Sequence, residues 1–508
     1  MLALLTACSP KEQVAEPLDR TAPVWPDVDG VTVPRNLAPV RFALDDSSVL
    51  TSLQAVYEAA GMSVVVKGRG DGEIAISIED WQRLVQNADT VSIRIQGKQE
   101  GRWCEYAPLH IAVTSDSIDP YLVYRLIEPG YEVWGEMGIY ERDLQTYEER
   151  AVLTNRETAG GCMNCHSFCQ NNPSRMLLHL RQQMAGTYIR HDGKVERLDT
   201  KTPQTLSALV YPSWHPLGQW VAFSTNLTKQ VAHSTDRNRV EVYDLQSDVV
   251  VLDVESHELV WSPLLKSDDR FETFPCFGPD GRSLYFCSAD SVDMTQTYDQ
   301  VHYSLCRIDF DAETGEFGTQ VDTLYNARTE GGSATQPRVS PDGRWLMYVH
   351  SDYGQFTIWH KDADLRVMRL NEERRPERAV KGEEREDERG DEKGAWKGQP
   401  SMAAYGNRTD DPAAALNSEE AESYHSWSST GKWVVFDSRR MDGLYTRPYL
   451  AHVDEEGHWS KPVLLPQEDV HYYDRLMKSY NVPEMTTGKV DVTGMLGQEE
   501  ALKLRAGD

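Results

Sequence analysis

The sequence predicts a mainly β protein: an N-terminal β-sandwich-like domain, a short helical segment carrying a cofactor motif, and a C-terminal β-propeller of five or six blades. Three observations lead there. Short runs of β-branched residues with partial alternation fill the first quarter of the chain. A turn-and-strand unit recurs through the second half. Between them lies a segment with charged residues and a Met/Leu pattern at helical spacing.

The 508 residues are enough for two to four domains. The formal net charge of −28 argues against a nucleic-acid surface, which needs clustered Lys and Arg. No apolar run approaches the length of a transmembrane helix. Leu4-Leu5-Thr6-Ala7-Cys8 looks like a bacterial lipobox, with Cys8 as the lipidated residue, although no Lys or Arg precedes it. An upstream start codon would supply the missing basic stretch. On this reading residues 1–30 are a signal remnant and tether, and the protein is anchored to a membrane through lipid.

Residues 31–135 read as the β-sandwich-like domain. Ser63–Val66, Glu73–Ile78 and Val91–Ile95 are its clearest strands, with a short helix expected over 79–86. Residues 136–185 read as the helical segment. There Glu141–Arg150 is a charged helix or turn, and Ser174–Met184 a helix with Met176, Leu177, Leu180 and Met184 to one side.

The propeller is expected over 186–490. Its repeat is visible four times, beginning at Tyr211, Thr273, Gln336 and Tyr424 and turning at Gly218, Gly281, Gly343 and Gly431. A Pro-Asp-Gly type turn reverses the chain and an apolar strand follows. One such small sheet cannot bury both faces, so copies stack around an axis. Segments 186–199 and 448–465 are expected to close the ring by sharing a blade. Trp214, His215, His425 and Trp427 recur at matching positions, either lining a central channel or packing between blades. Residues 372–399 are so dense in charge that they read as a disordered insertion, and 491–508 as a flexible tail.

Cys162-Met163-Asn164-Cys165-His166 is the attachment signature of a c-type haem. Two thiols at this spacing reach the two vinyl groups of one porphyrin, and the adjacent imidazole reaches iron. Gly160 and Gly161 permit a close approach. A thioredoxin-like motif would need a βαβ setting, and a zinc site a second ligand pair, with only Cys169 near. His166 is thus the axial ligand of one haem c. His179 is a possible sixth ligand, Met176 and Met184 are alternatives, and His110 is a more distant one. Cys287 and Cys306 fall in consecutive strands and either pair as a disulfide or stay as buried thiols, with Cys104, Cys169 and Cys276 unassigned.

Several longer stretches carry a resemblance: Val33–Pro39, Ile118–Arg125, Cys162–Ser167, Tyr211–Pro216, Ile358–His360, Ser423–Ser428 and Ser479–Glu484. Through them the chain resembles the TolB-like (PD40, WD40-like) propeller lipoproteins of Bacteroidetes that carry a single c-type haem motif. The resemblance implies a haem-binding propeller in the cell envelope, on an outer-membrane lipoprotein. The expected function is a cytochrome-like one-electron carrier that docks an unidentified redox or protein partner, rather than an enzyme. A scaffold propeller with structural haem, and a haem peroxidase or ligand sensor, are the alternatives.

Overall fold

The computed structural model describes residues 11–46, 52–130, 135–236, 238–293, 297–370, 411–498 and 500–506. Cys8 and the charged insertion at 372–399 lie outside them. The protein is mainly β, with few and short helices. No helix of the described residues is long and apolar enough to cross a membrane.

Six sheets follow one another from Tyr121 onward. Five are consecutive antiparallel meanders: Met163–Phe168 to Lys194–Asp199, Leu209–Trp214 to Glu258–Val260, Arg270–Phe277 to Glu316–Tyr325, Ser333–Val339 to Asp364–Arg369, and Glu422–Trp427 to Val463–Leu464. The sixth joins distant parts of the chain. Its strands Tyr121–Ile127, Gly138–Asp143 and Glu149–Thr154 are completed by Ser479–Thr486, which pairs with Tyr121–Ile127. The innermost strand of each sheet touches that of the next, and the contacts close a ring, an arrangement consistent with a β-propeller. Ring closure therefore runs through 479–486, not through 186–199 and 448–465.

The repeat's turn chemistry is directly visible. Gly218, Gly281, Gly343 and Gly431 all sit at φ between 65° and 77°, where a side chain is strained. Gly281 is also crowded: a Cβ there would lie 2.8 Å from His215 Nε2 of the neighbouring sheet. That imidazole nitrogen bonds the Gly281 carbonyl at 3.0 Å, one of several polar ties between adjacent sheets. Others are Phe277 N to Ser213 Oγ (2.9 Å), Trp427 Nε1 to the Arg338 carbonyl (3.1 Å), and Ser426 Oγ to the Pro483 carbonyl (2.7 Å).

The N-terminal domain is a seven-stranded sheet with a three-stranded one, and a helix at Ile78–Val85 that buries Trp81, Leu84 and Val85. It ends before Tyr121 rather than at 135, since the strand beginning there belongs to the ring. The tether expected over 1–30 includes ordered strands at Glu16–Thr21 and Val24–Trp25. The domain shares one hydrophobic core with the last meander, in which Tyr57 and Trp81 join Trp433 and Trp459. Asp119 clamps this joint by accepting from Ser429 N at 2.7 Å and from Ser429 Oγ at 2.5 Å.

The helical segment expected over 136–185 is strand and turn. Met176–Leu180 is a strand buried at every residue, because it lies inside its sheet with both faces covered. A run apolar on both faces cannot be told from a buried helix by periodicity alone. The tail is also partly ordered: Leu502–Lys503 and Arg505–Ala506 add parallel to two sheet edges. Cys287 and Cys306 are free thiols. Cys306 stands opposite Phe286, which leaves Cys287 on the other face of the sheet.

Candidate functional site

Each of the six innermost strands carries the same irregularity. Two of its residues oppose one on the partner strand: 165–166, 211–212, 274–275, 336–337, 424–425 and 482–483. At Tyr211, Phe274, Gln336, Tyr424 and Val482 the first bulge residue has φ between 47° and 53°. A left-handed conformation at non-glycine residues stores strain of roughly 1 kcal/mol or more each, so five aligned cases mark a built feature. The second residue is Pro at 212, 275, 337 and 483, where the missing N–H leaves no ladder bond unmade. It is His only at 166 and 425.

The bulges point into the ring's axis and help line a cavity of about 400 Å³. Its walls include Tyr211, Phe274 and Tyr424. Its polar groups include Arg125, Arg338, His166 and His425. Of the four recurring aromatic and His positions singled out from the sequence, only His425 faces this space. Trp214, His215 and Trp427 are buried between sheets.

The two histidines share a chemical state. His166 is 3% exposed, hydrogen-bonded to the Val123 backbone, and its Nε2 has no partner among the described residues. Burial, reinforced by Arg125, holds its pKa down to about 4. His425 is also 3% exposed; its Nε2 donates to the Met347 carbonyl at 3.1 Å, which leaves Nδ1 as a bare acceptor without a partner. Burial and Arg338 lower its pKa to about 3. Both rings are therefore neutral at pH 7 and each carries an unsatisfied lone pair. An unsatisfied buried acceptor costs about 1–3 kcal/mol.

The arginines differ in how they are held. Arg439 Nε donates to the Ile358 carbonyl at 2.7 Å, and its guanidinium lies 3.4 Å from the Trp359 ring centroid. Arg125 donates one NH to the Met163 carbonyl at 2.7 Å, while its buried Nε has no partner. Arg338 follows the bulge at 336–337. At the same position Ser213 accepts from Phe277 N, Ser426 donates to the Pro483 carbonyl, and Glu484 accepts from Phe168 N at 3.1 Å, each tying one strand to the next. Burial pushes the Glu484 carboxyl up to about 7, against the pull of Arg338.

The motif residues fall on one of these inner strands. Cys162 and His166 both line the cavity, and Cys165 lies between them in Met163–Phe168. Gly161 is sterically required, since a Cβ would meet the Arg181 carbonyl oxygen at 2.8 Å. In donor type, an imidazole with a free Nε2 beside a thiol suits a haem iron and a thioether. The expected sixth ligands do not line this cavity. His179 stands opposite Asn164 with its Nδ1 bonded to Thr187 Oγ1 at 3.1 Å. Met176 is buried in an apolar cluster and Met184 packs against it. His110 is exposed on the N-terminal domain. The expected helix over 174–184 would have presented His179, Met176 and Met184 together, whereas the strand at Met176–Leu180 places them elsewhere. His425, across the ring, could have been noticed as a His standing where three repeats have Pro.

No protein-family model matches the chain, and no curated protein matches its sequence. Several solved structures do. Porphyromonas gingivalis dipeptidyl peptidase 4 matches at 9% identity and TM-score 0.31, over 85% of this chain and 52% of that one. A putative dipeptidyl aminopeptidase IV from Bacteroides ovatus matches at 13% and 0.28, over 76% and 59%. Prolyl oligopeptidase B from Galerina marginata matches at 8% and 0.32, over 85% and 51%. The chain spans about half the length of these structures. Likenesses this distant carry no activity across. These three are peptidases and not TolB-like haem lipoproteins, so the family assignment made from the sequence is corrected. The cytochrome-like electron-carrier function and its haem-based alternatives are withdrawn with it.

Proposed function

We propose that this chain is a ligand-binding six-bladed β-propeller whose central cavity takes a small organic molecule. One observation carries the reading: the inner bulges surround a cavity of about 400 Å³ whose wall sets Arg125, Arg338, His166 and His425 beside Tyr211, Phe274 and Tyr424. Four of the six inner bulges solve the same backbone problem with Pro. The two that use His put a buried, neutral imidazole into the cavity wall. The volume lies at the small end of ligand pockets.

The test is a thermal-shift screen of the full chain against small organic molecules, repeated on His425→Leu. A ligand at about 100 times its Kd adds about 2.7 kcal/mol and raises the melting temperature by several degrees. The expected result is at least one such ligand whose shift disappears in the variant. A screen in which no compound shifts melting, or in which the variant responds as the parent does, overturns the reading.

Haem c remains a proposed cofactor for the same space, resting on Cys162, Cys165 and His166, with no electron-transfer role attached. Intact mass after expression with a cytochrome c maturation system decides it, since covalent haem adds about 616 Da. An unchanged mass removes haem and leaves the cavity to a reversible ligand. An envelope location, the lipid anchor at Cys8 and a protein partner are proposals that rest on the sequence.

A further inference from the structure

Resting on that cavity reading, we propose that the occupant is a small organic acid, its carboxylate held by Arg338 and its body lying against Tyr211, Phe274 and Tyr424. Charge points there first. The chain has 80 Asp and Glu against 52 Lys and Arg, yet the cavity is lined by four arginines and only two carboxylates, Glu128 and Glu484. A basic wall inside an acidic protein attracts an anion.

Geometry narrows the choice. Arg338 makes no side-chain hydrogen bond or ion pair among the described residues, although its counterparts at 213, 426 and 484 all bond the next strand. It lines the cavity and reaches Glu484 only as a charge, with no hydrogen bond holding its guanidinium. Guanidinium groups match the planar, two-oxygen geometry of a carboxylate. The imidazoles of His166 and His425 that share the wall are neutral, so they add no second charge. The occupant therefore carries a carboxylate at one end and a less polar body beyond it. Tyr211, Phe274 and Tyr424 offer apolar faces to its body.

Calorimetry on the full chain tests this with acids and their isosteric amides: N-acetyl-L-tyrosine, 4-hydroxyphenylacetate and a wider panel of small hydroxy and amino acids, each beside its primary amide. Inorganic phosphate is the anion-only control. At least one acid is expected to bind about tenfold or more tighter than its amide. Arg338→Gln should abolish that preference and Arg338→Lys restore part of it, with unchanged melting temperatures showing that both variants fold. Equal binding of acid and amide, or a preference that survives Arg338→Gln, overturns the inference. Phosphate binding as tight as the best acid overturns the choice of a carboxylate with an organic body over a bare anion. Neutral compounds that bind while no acid does sink this inference alone. No binding by any compound sinks the cavity reading as well.

Discussion

Raising the pH from about 6.5 to about 8 should destabilise this fold, because buried carboxyls, Asp437 among them, hold protons that the unfolded chain releases. Burial lifts Glu272 to about 8 and Glu484 and Asp244 to about 7. All three are ionised in the unfolded chain throughout this window, so the folded state binds more protons and loses stability as pH rises. Glu272 acts over the whole interval, about 1.5 pH units or about 2 kcal/mol. Glu484 and Asp244 each act over a smaller part of the interval and add less apiece. The total is about 3 kcal/mol, a sizeable share of the stability of a single fold. Below about pH 6.5 a second set opposes them. His166, His179 and His350 are held down to about 4 and His425 to about 3, so their stabilisation is lost as pH falls. Asp248 and Asp411, raised to about 6, add to the carboxyl set there, so the histidines offset only part of it. Urea unfolding across this range measures it, and Glu272→Gln should remove about 2 of the 3 kcal/mol. A stability that climbs from pH 6.5 to 8, or a Glu272→Gln protein that falls as steeply as its parent, would refute the reasoning.

Three further outcomes follow from particular contacts. Gly281→Ala places a Cβ 2.8 Å from His215 Nε2 at φ 65° and should destabilise by about 1–3 kcal/mol in denaturant melts. Asp119→Ala removes both bonds to Ser429 and should lower stability by about 1–3 kcal/mol, with a matching loss of protection at the joint between the N-terminal domain and the ring in hydrogen exchange. In native protein without haem, a thiol reagent should label Cys162 far faster than the buried Cys169, Cys276, Cys287 and Cys306, and peptide mapping of the first labelled site checks this.

Much of the architecture was legible in the chain because it depends on local chemistry repeated at intervals. The Pro-Asp-Gly turns at 279–281 and 341–343 announced small antiparallel sheets, and four glycines at positive φ are where those turns fall. The bulge dipeptides stood in the sequence too: Tyr-Pro, Phe-Pro, Gln-Pro and Tyr-His each begin seven residues before the turn glycine, although their meaning emerges only once the register is seen. Met176–Leu180 misled because burial on both faces erases the alternation that distinguishes a strand.

By itself, the sequence determined the β class, the repeating unit and the presence of Cys162, Cys165 and His166 in one short motif, all set by neighbours a few residues apart. Only the tertiary structure decided which strand closes the ring, that His425 rather than His179 shares the cavity with His166, and that Arg125 and Arg338 meet there. Strands at 121–127 and 479–486 pair across most of the chain. No local periodicity encodes such a pairing. It is selected by how much apolar surface the closed ring buries, a property of the whole assembly.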